Sequence, residues 1–382
     1  MQHKARGYVT SLLAILAIGG TGSAYADDVL IGFSAPMTGP QAHYGRDFQN
    51  GVILAVEEFN ASKPVVDGKP LRIVLSSQDD QGDPRMATTV AQKLVDSGIQ
   101  GMLGPFNSGT TIPASRIFAQ AGIPEVAMAT AAEYTRQGFK TAFRMMTSDT
   151  QQGSVMGHFA VTQLHYKRIA IVDDRTAYGQ GLADEFEKAA KSAGAKIIDR
   201  EFASDRSLDF KAILTKLKSV HPDAIYYGGA DAQAAPMVKQ MRSLGMKAVL
   251  IAGEMVKTET FLKLAGPAAE GSVASLAGLP LTEMPGGNDY IARYKKRFGT
   301  DVDLYSPYGY DGAMSMFKAM TKANSTDPAK YLPALADSHL PGVTSSDIAY
   351  DARGDLKHGG ITVYKVVAGV WTPVKSIEAQ GS

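Results

Sequence analysis

Apolar and polar positions follow two periods along this chain, and the two take turns. Residues 29–33 form a short apolar run of strand length, after which Phe48, Val52, Ala55, Val56 and Phe59 recur at helical spacing. Residues 71–75 give the next strand, and Ala87, Val90, Ala91, Leu94 and Val95 the next helical face. This β-α-β-α order predicts a parallel sheet with helices on both faces. After a connecting stretch around residues 143–149 the alternation restarts. Strands are expected at 168–172, 195–198, 224–227 and 248–252, and helices at 181–193, 210–219 and 234–244. Beyond about residue 271 the pattern is less regular, with helices expected near 290–298 and 312–322 and strands near Ile348 and 361–367. No short tandem repeat or low-complexity tract interrupts it.

The first residues read differently. Lys4 and Arg6 precede an apolar run over residues 8–18, and Ala24-Tyr25-Ala26 supplies the small-x-small pattern of a cleavage site. That run is far shorter than the roughly 20 residues that span a bilayer. A signal peptide over 1–26, cleaved near Ala26, is therefore expected, with the mature chain in the periplasm. The remaining 356 residues exceed what one hydrophobic core usually organises, which predicts two lobes. Loss of Lys4 and Arg6 takes the formal charge from +1 to −1, a balance with no footprint for nucleic acid. With no cysteine, disulfides, thiolate metal sites and cysteine nucleophiles are excluded.

In open parallel sheets ligands bind beyond the carboxyl ends of the strands, where loops lead into helix N-termini. Those loops carry a recognisable series: Ala35-Pro36-Met37-Thr38-Gly39-Pro40 with Tyr44-Gly45, then Asp79-Asp80 and Asp83-Pro84, Tyr178-Gly179-Gln180-Gly181, Tyr226-Tyr227-Gly228-Gly229 and Gly354-Asp355-Leu356. In that order and at that spacing, through nearly the whole mature chain, the series resembles the branched-chain amino-acid binding proteins of ABC transporters, the type I periplasmic binding fold. The resemblance implies an α/β protein of two doubly wound parallel-sheet lobes joined by three crossing segments, near residues 147–150, 276–281 and 347–356. Lobe 1 would comprise 27–148 and 279–350, and lobe 2 would comprise 149–278 and 351–382. It also implies a monomeric carrier that needs no cofactor and delivers a small amino-acid-like ligand to a membrane permease.

The candidate ligand contacts follow from the same loops. The stretch from Gly104 to Thr111 joins a strand to a helix, and Ser108 there offers a hydroxyl beside free backbone N–H groups. The plain alternative is that Asn107 or Ser108 merely caps the helix. The resemblance implies that Ser108 and Thr130 hold the ligand carboxylate, flanked by Phe106, Asn107 and Ala129, and that the Met128 backbone accepts from its ammonium. Tyr178 and Glu254 would close over it from the second lobe, Glu254 pairing with the ammonium, and Tyr44 would line the pocket. Two departures stand out: Gly228-Gly229 leads into Ala230 and Asp231 where leucine-binding members carry a tyrosine, and Asn107 stands where the family often has a disulfide cysteine. The first opens one wall of the pocket, puts leucine specificity in question and makes Asp231 a candidate second acidic contact. His43, beside Tyr44, is read either as lining the mouth of the cleft or, as the safer reading, as a surface histidine.

Catalytic constellations are missing from the sequence: there is no nucleophile elbow, no His-Glu-x-x-His, no phosphate loop and no histidine pair at metal-ligand spacing. Asp79, Asp80 and Asp83 lack the glutamate of a calcium loop, and Asp83 reads as the cap of a helix begun by Pro84. A hydrolase on the same scaffold would need a clustered nucleophile and base. The competing reading is a ligand sensor for an amide or small aromatic acid that feeds a receptor or regulator through the same pocket.

Overall fold

The computed structural model describes residues 27–379, so the expected signal peptide lies outside the described residues. Thirteen strands form two sheets. The first contains β1 (Asp27–Ala35), β2 (Val65–Val66), β3 (Lys69–Asp79), β4 (Gly101–Leu103), β5 (Glu125–Ala127) and β6 (Ala142–Arg144), in the order β2-β3-β1-β4-β5-β6. All its pairings are parallel except the short β2–β3 edge. Helices α1 (Ala42–Ala61), α2 (Pro84–Asp96), α3 (Ser108–Gln120) and α4 (Ala132–Arg136) connect these strands. Residues 31–35 are all buried within β1, as a central strand covered on both faces requires.

The second half repeats the plan. Helix α5 (Asp149–Thr162) leads into β7 (Arg168–Asp173), α6 (Ala177–Ser192), β8 (Lys196–Phe202), α7 (Lys211–Ser219), β9 (Ala224–Gly228), α8 (Asp231–Ser243), β10 (Val249–Ala252), α9 (Glu259–Ala265) and β11 (Val273–Ala277). The chain then returns to the first lobe as α10 (Gly287–Phe298), α11 (Ser306–Lys322) and α12 (Pro328–Ala336), with α11 lying against α1. It finishes in the second sheet as β12 (Gly359–Val367) and β13 (Val370–Ala379), giving the order β13-β12-β11-β10-β9-β7-β8. The β11–β12 and β12–β13 pairings are antiparallel there, and the others are parallel. Three passages of chain thus link the sheets: after β6, after β11 and before β12.

The sequence pattern missed some elements for physical reasons. The connecting stretch around 143–149 contains β6 and the start of α5. Strand β6 is only three residues long, and α5 packs so closely on α6 that most of its circumference is buried, which leaves no apolar stripe to read. A strand was expected near Ile348, yet Ile348 makes only an isolated bridge to Leu340. The backbone between them is diverted by Asp311, whose carboxylate accepts from Val343 N at 2.8 Å and Thr344 N at 2.7 Å. Asp83 does cap α2, accepting from Arg85 N and Met86 N. Its neighbour Asp79 fastens the β1–α1 loop through Met37 N at 2.9 Å.

Candidate functional site

The loop from β4 to α3 reaches the boundary between the lobes. Asn107 occupies the cap position of α3 without capping it, and its amide donates instead to Gln41 Oε1 at 2.7 Å. Ser108, the first helical residue, accepts from Ala131 N at 3.1 Å. Its hydroxyl proton remains available to a ligand, beside the first N–H groups of α3 that have no intrahelical partner. Arg144, fully buried at the end of β6, fixes the facing loop: it donates to the carbonyls of Ala129 and Ala131, to Thr135 Oγ1 at 3.0 Å and to Asp355 Oδ1 at 2.8 Å. Thr130 is therefore held between two clamped carbonyls.

The opposing wall is acidic. Thr176 caps α6 through Gly179 N at 2.9 Å, so Tyr178 sits in the first turn. Gly179 and Gly228 lie so close that a Cβ on Gly228 would meet Gly179 O at 2.1 Å, which explains why two separate glycine-bearing motifs are needed here. Tyr178 donates to Glu254 Oε2 at 3.0 Å, just past β10. Glu254 is buried, and burial pushes its carboxyl above the ordinary value although Tyr178 donates to it. Asp149, the first residue of α5, is 1% exposed, and both its oxygens lack a hydrogen-bond partner. Burial, then the charge of Glu254, drives its carboxyl well up. Neither carboxylate is in an ion pair among the described residues. Tyr226 and Tyr305 hydroxyls and Gln152 Nε2 are likewise buried without partners.

Seven expected site residues line one enclosed space: Phe106, Asn107, Ser108, Met128, Thr130, Tyr178 and Glu254, joined by Met255 and Tyr305. The other four lie around it. Tyr44 stacks on Phe106 with centroids 5.7 Å apart and donates to Met255 O at 2.5 Å across the lobes. Ala129 is buried behind the wall, with its carbonyl on Arg144. Ala230 lines an adjoining outer groove of about 780 Å³ that shares Asn107, Tyr178 and Met255 with the enclosed space and also touches Gln41, Asp174 and Phe202. Asp231, fully buried, meets His43 Nε2 at 2.9 Å, so His43 is an interlobe residue and not the surface residue expected. The inner space has a volume of about 20 Å³, room for about one water-sized group, and adjoins the larger groove.

Sequence reasoning missed Asp149, Gln152, Met255 and Tyr305. For Asp149 a signal existed, because Ser148 and Gln151 form the Ser-x-x-Gln capping box of α5 and so mark a helix start at the first crossing. Tyr305 carried none, since its approach to Phe106, with ring centroids 4.7 Å apart, joins distant parts of the chain.

Two α/β lobes meeting over a small enclosed space define a cleft-binding protein. The chain belongs to the periplasmic binding protein family, whose profile matches residues 28–369. It is similar to the Leu/Ile/Val-binding protein homolog 1 of Brucella melitensis, 35% identical over 356 residues that cover 93% of this chain and 94% of that one. A leucine-, isoleucine-, valine-, threonine- and alanine-binding protein of Pseudomonas aeruginosa is 31% identical over 94% of this chain and 95% of its own length. The crystal structure of the leucine-binding protein LivK from Thermotoga maritima shares the fold with a TM-score of 0.85 and 26% identity, covering 91% of this chain and 98% of that one.

Proposed function

We propose that this chain is an exported, non-catalytic solute-binding protein that captures an amino acid between its lobes and presents it to the permease of an ABC transporter. One observation carries the reading: the enclosed space has opposite polarity on its two sides. Ser108, Thr130 and the N-terminus of α3 offer donors on one wall, while Glu254 faces them, with buried Asp149 as its electrostatic neighbour and neither carboxylate in an ion pair among the described residues. A zwitterion supplies both missing charges, its carboxylate toward the donors and its ammonium toward the buried acids. The names of the Brucella and Pseudomonas relatives support amino acids as the ligand class. The 27–148 and 279–350 segments form the lobe that receives the carboxylate, 149–278 and 351–382 the lobe that closes, and the closed shape is what the permease reads.

A thermal-shift screen of ligand-stripped protein beginning at Asp27 tests the assignment. Amino acids are expected to raise the melting temperature, by mass action on the native state alone. A rise only with sugars or uncharged aromatics would remove the carboxylate and ammonium roles given to these residues.

A further inference from the structure

We infer that His43 is a positioning residue that clamps the closed lobes together through Asp231, and that it does so more firmly when it carries a proton. The inference rests on the amino-acid reading above and concerns the regulation of the same site. His43 lies in the first turn of α1, in the first lobe, and Asp231 opens α8 in the second. Their 2.9 Å contact between Nε2 and Oδ2 is therefore made by closure and broken by opening. Asp231 is built to receive it: the residue is fully buried, Oδ2 also accepts from Thr258 Oγ1 at 2.7 Å, and Oδ1 has no partner. Beside this contact Tyr44 bridges the lobes to Met255 O, its ring 3.9 Å from the imidazole.

Every group facing His43 favours the charged form. Asp231 faces it from α8 and Asp303 from the segment before α11, while the Pro40 carbonyl lies on its own side. Lys257 and Asp47 act on Asp303, not on the ring. Burial alone would lower His43, but the bond and charge of Asp231, then Asp303 and Pro40, outweigh it and leave the imidazole above its ordinary value. In the open form Asp231 moves away and His43 loses the contact that raises it most. The stabilisation of the closed form is thus fully present below the ordinary histidine range and fades as pH rises through the raised value. Neutral His43 still donates from Nε2, so the clamp weakens without vanishing.

Since the chain has no cysteine, labels on introduced Thr89→Cys and Leu208→Cys report lobe separation by electron–electron resonance. The closed fraction and the affinity for L-leucine are measured from about pH 5.5 to about pH 8.5 in this protein and in His43→Gln, which keeps a donor and removes the charge. Because Asp149 and Glu254 titrate in both, the ratio of the two affinities isolates His43. We expect His43→Gln to bind several-fold more weakly at the acid end and nearly equally at the alkaline end. Asp231→Asn should flatten the same pH dependence, and adding it to His43→Gln should change nothing further. A ratio independent of pH, or additive losses, overturns the clamp. If L-leucine closes neither protein at any pH, L-leucine is not the amino acid bound; the clamp is then judged on the ligand-free closed fraction, which must fall with rising pH and lose that fall in His43→Gln.

Discussion

The least comfortable residue in the molecule is Asp149, a carboxyl almost without solvent, with both oxygens unpartnered and Glu254 as its electrostatic neighbour. A carboxyl whose folded value is raised stabilises the fold below its ordinary range and costs stability as pH rises through the raised value. Asp149→Asn removes that cost. In the absence of ligand the variant is expected to melt higher than the parent at pH 8, with the difference shrinking to nothing near pH 4. Its affinity for an amino acid should fall at the same time, by the roughly 1.5–3 kcal/mol of a hydrogen bond to a charged group. Paired melting curves and titrations across pH check both signs, and a variant that loses stability at alkaline pH would mean that Asp149 has a partner in the closed form.

Elements show where the sequence was legible. The β-α alternation located most strands of both sheets because each is a short apolar run between helices of strong periodicity, as in β1 and α2. It failed where burial is all round, as in α5, or where an element is three residues long, as in β6. Yet β6 sets the site, since Arg144 at its end fixes the Thr130 loop and ties it to the last crossing through Asp355. Arg144 N also donates to Gly354 O at 2.8 Å. Asp355→Ala would leave the buried guanidinium without its carboxylate, a change that typically costs about 3–5 kcal/mol. Chemical denaturation should show that loss, and affinity should drop with it because Thr130 loses its anchor. A stable variant that binds normally would show that the crossing does not position the loop.

At the scale of the whole molecule, seven residues of the inner wall were named from the loops at strand ends and the family resemblance those loops carry, while Met255 and Tyr305 were not. What joins the lobes was not legible. Tyr44 reaches Met255 O, 211 positions away, and His43 reaches Asp231, 188 positions away, so no periodicity or motif signals either contact. The acidic pair is similarly invisible, since Asp149 and Glu254 belong to different strand–helix units that meet only after the second lobe folds. These long-range contacts give the cleft its opposite polarities, and the account depends on a ligand that matches both. The direct measurement is calorimetric titration of ligand-stripped protein with L-leucine, with leucinamide, which lacks the carboxylate, and with 4-methylpentanoate, which lacks the ammonium. The account expects L-leucine to bind and each analogue to bind at least tenfold more weakly, about 1.4 kcal/mol or more. An analogue that binds as tightly as L-leucine would contradict it.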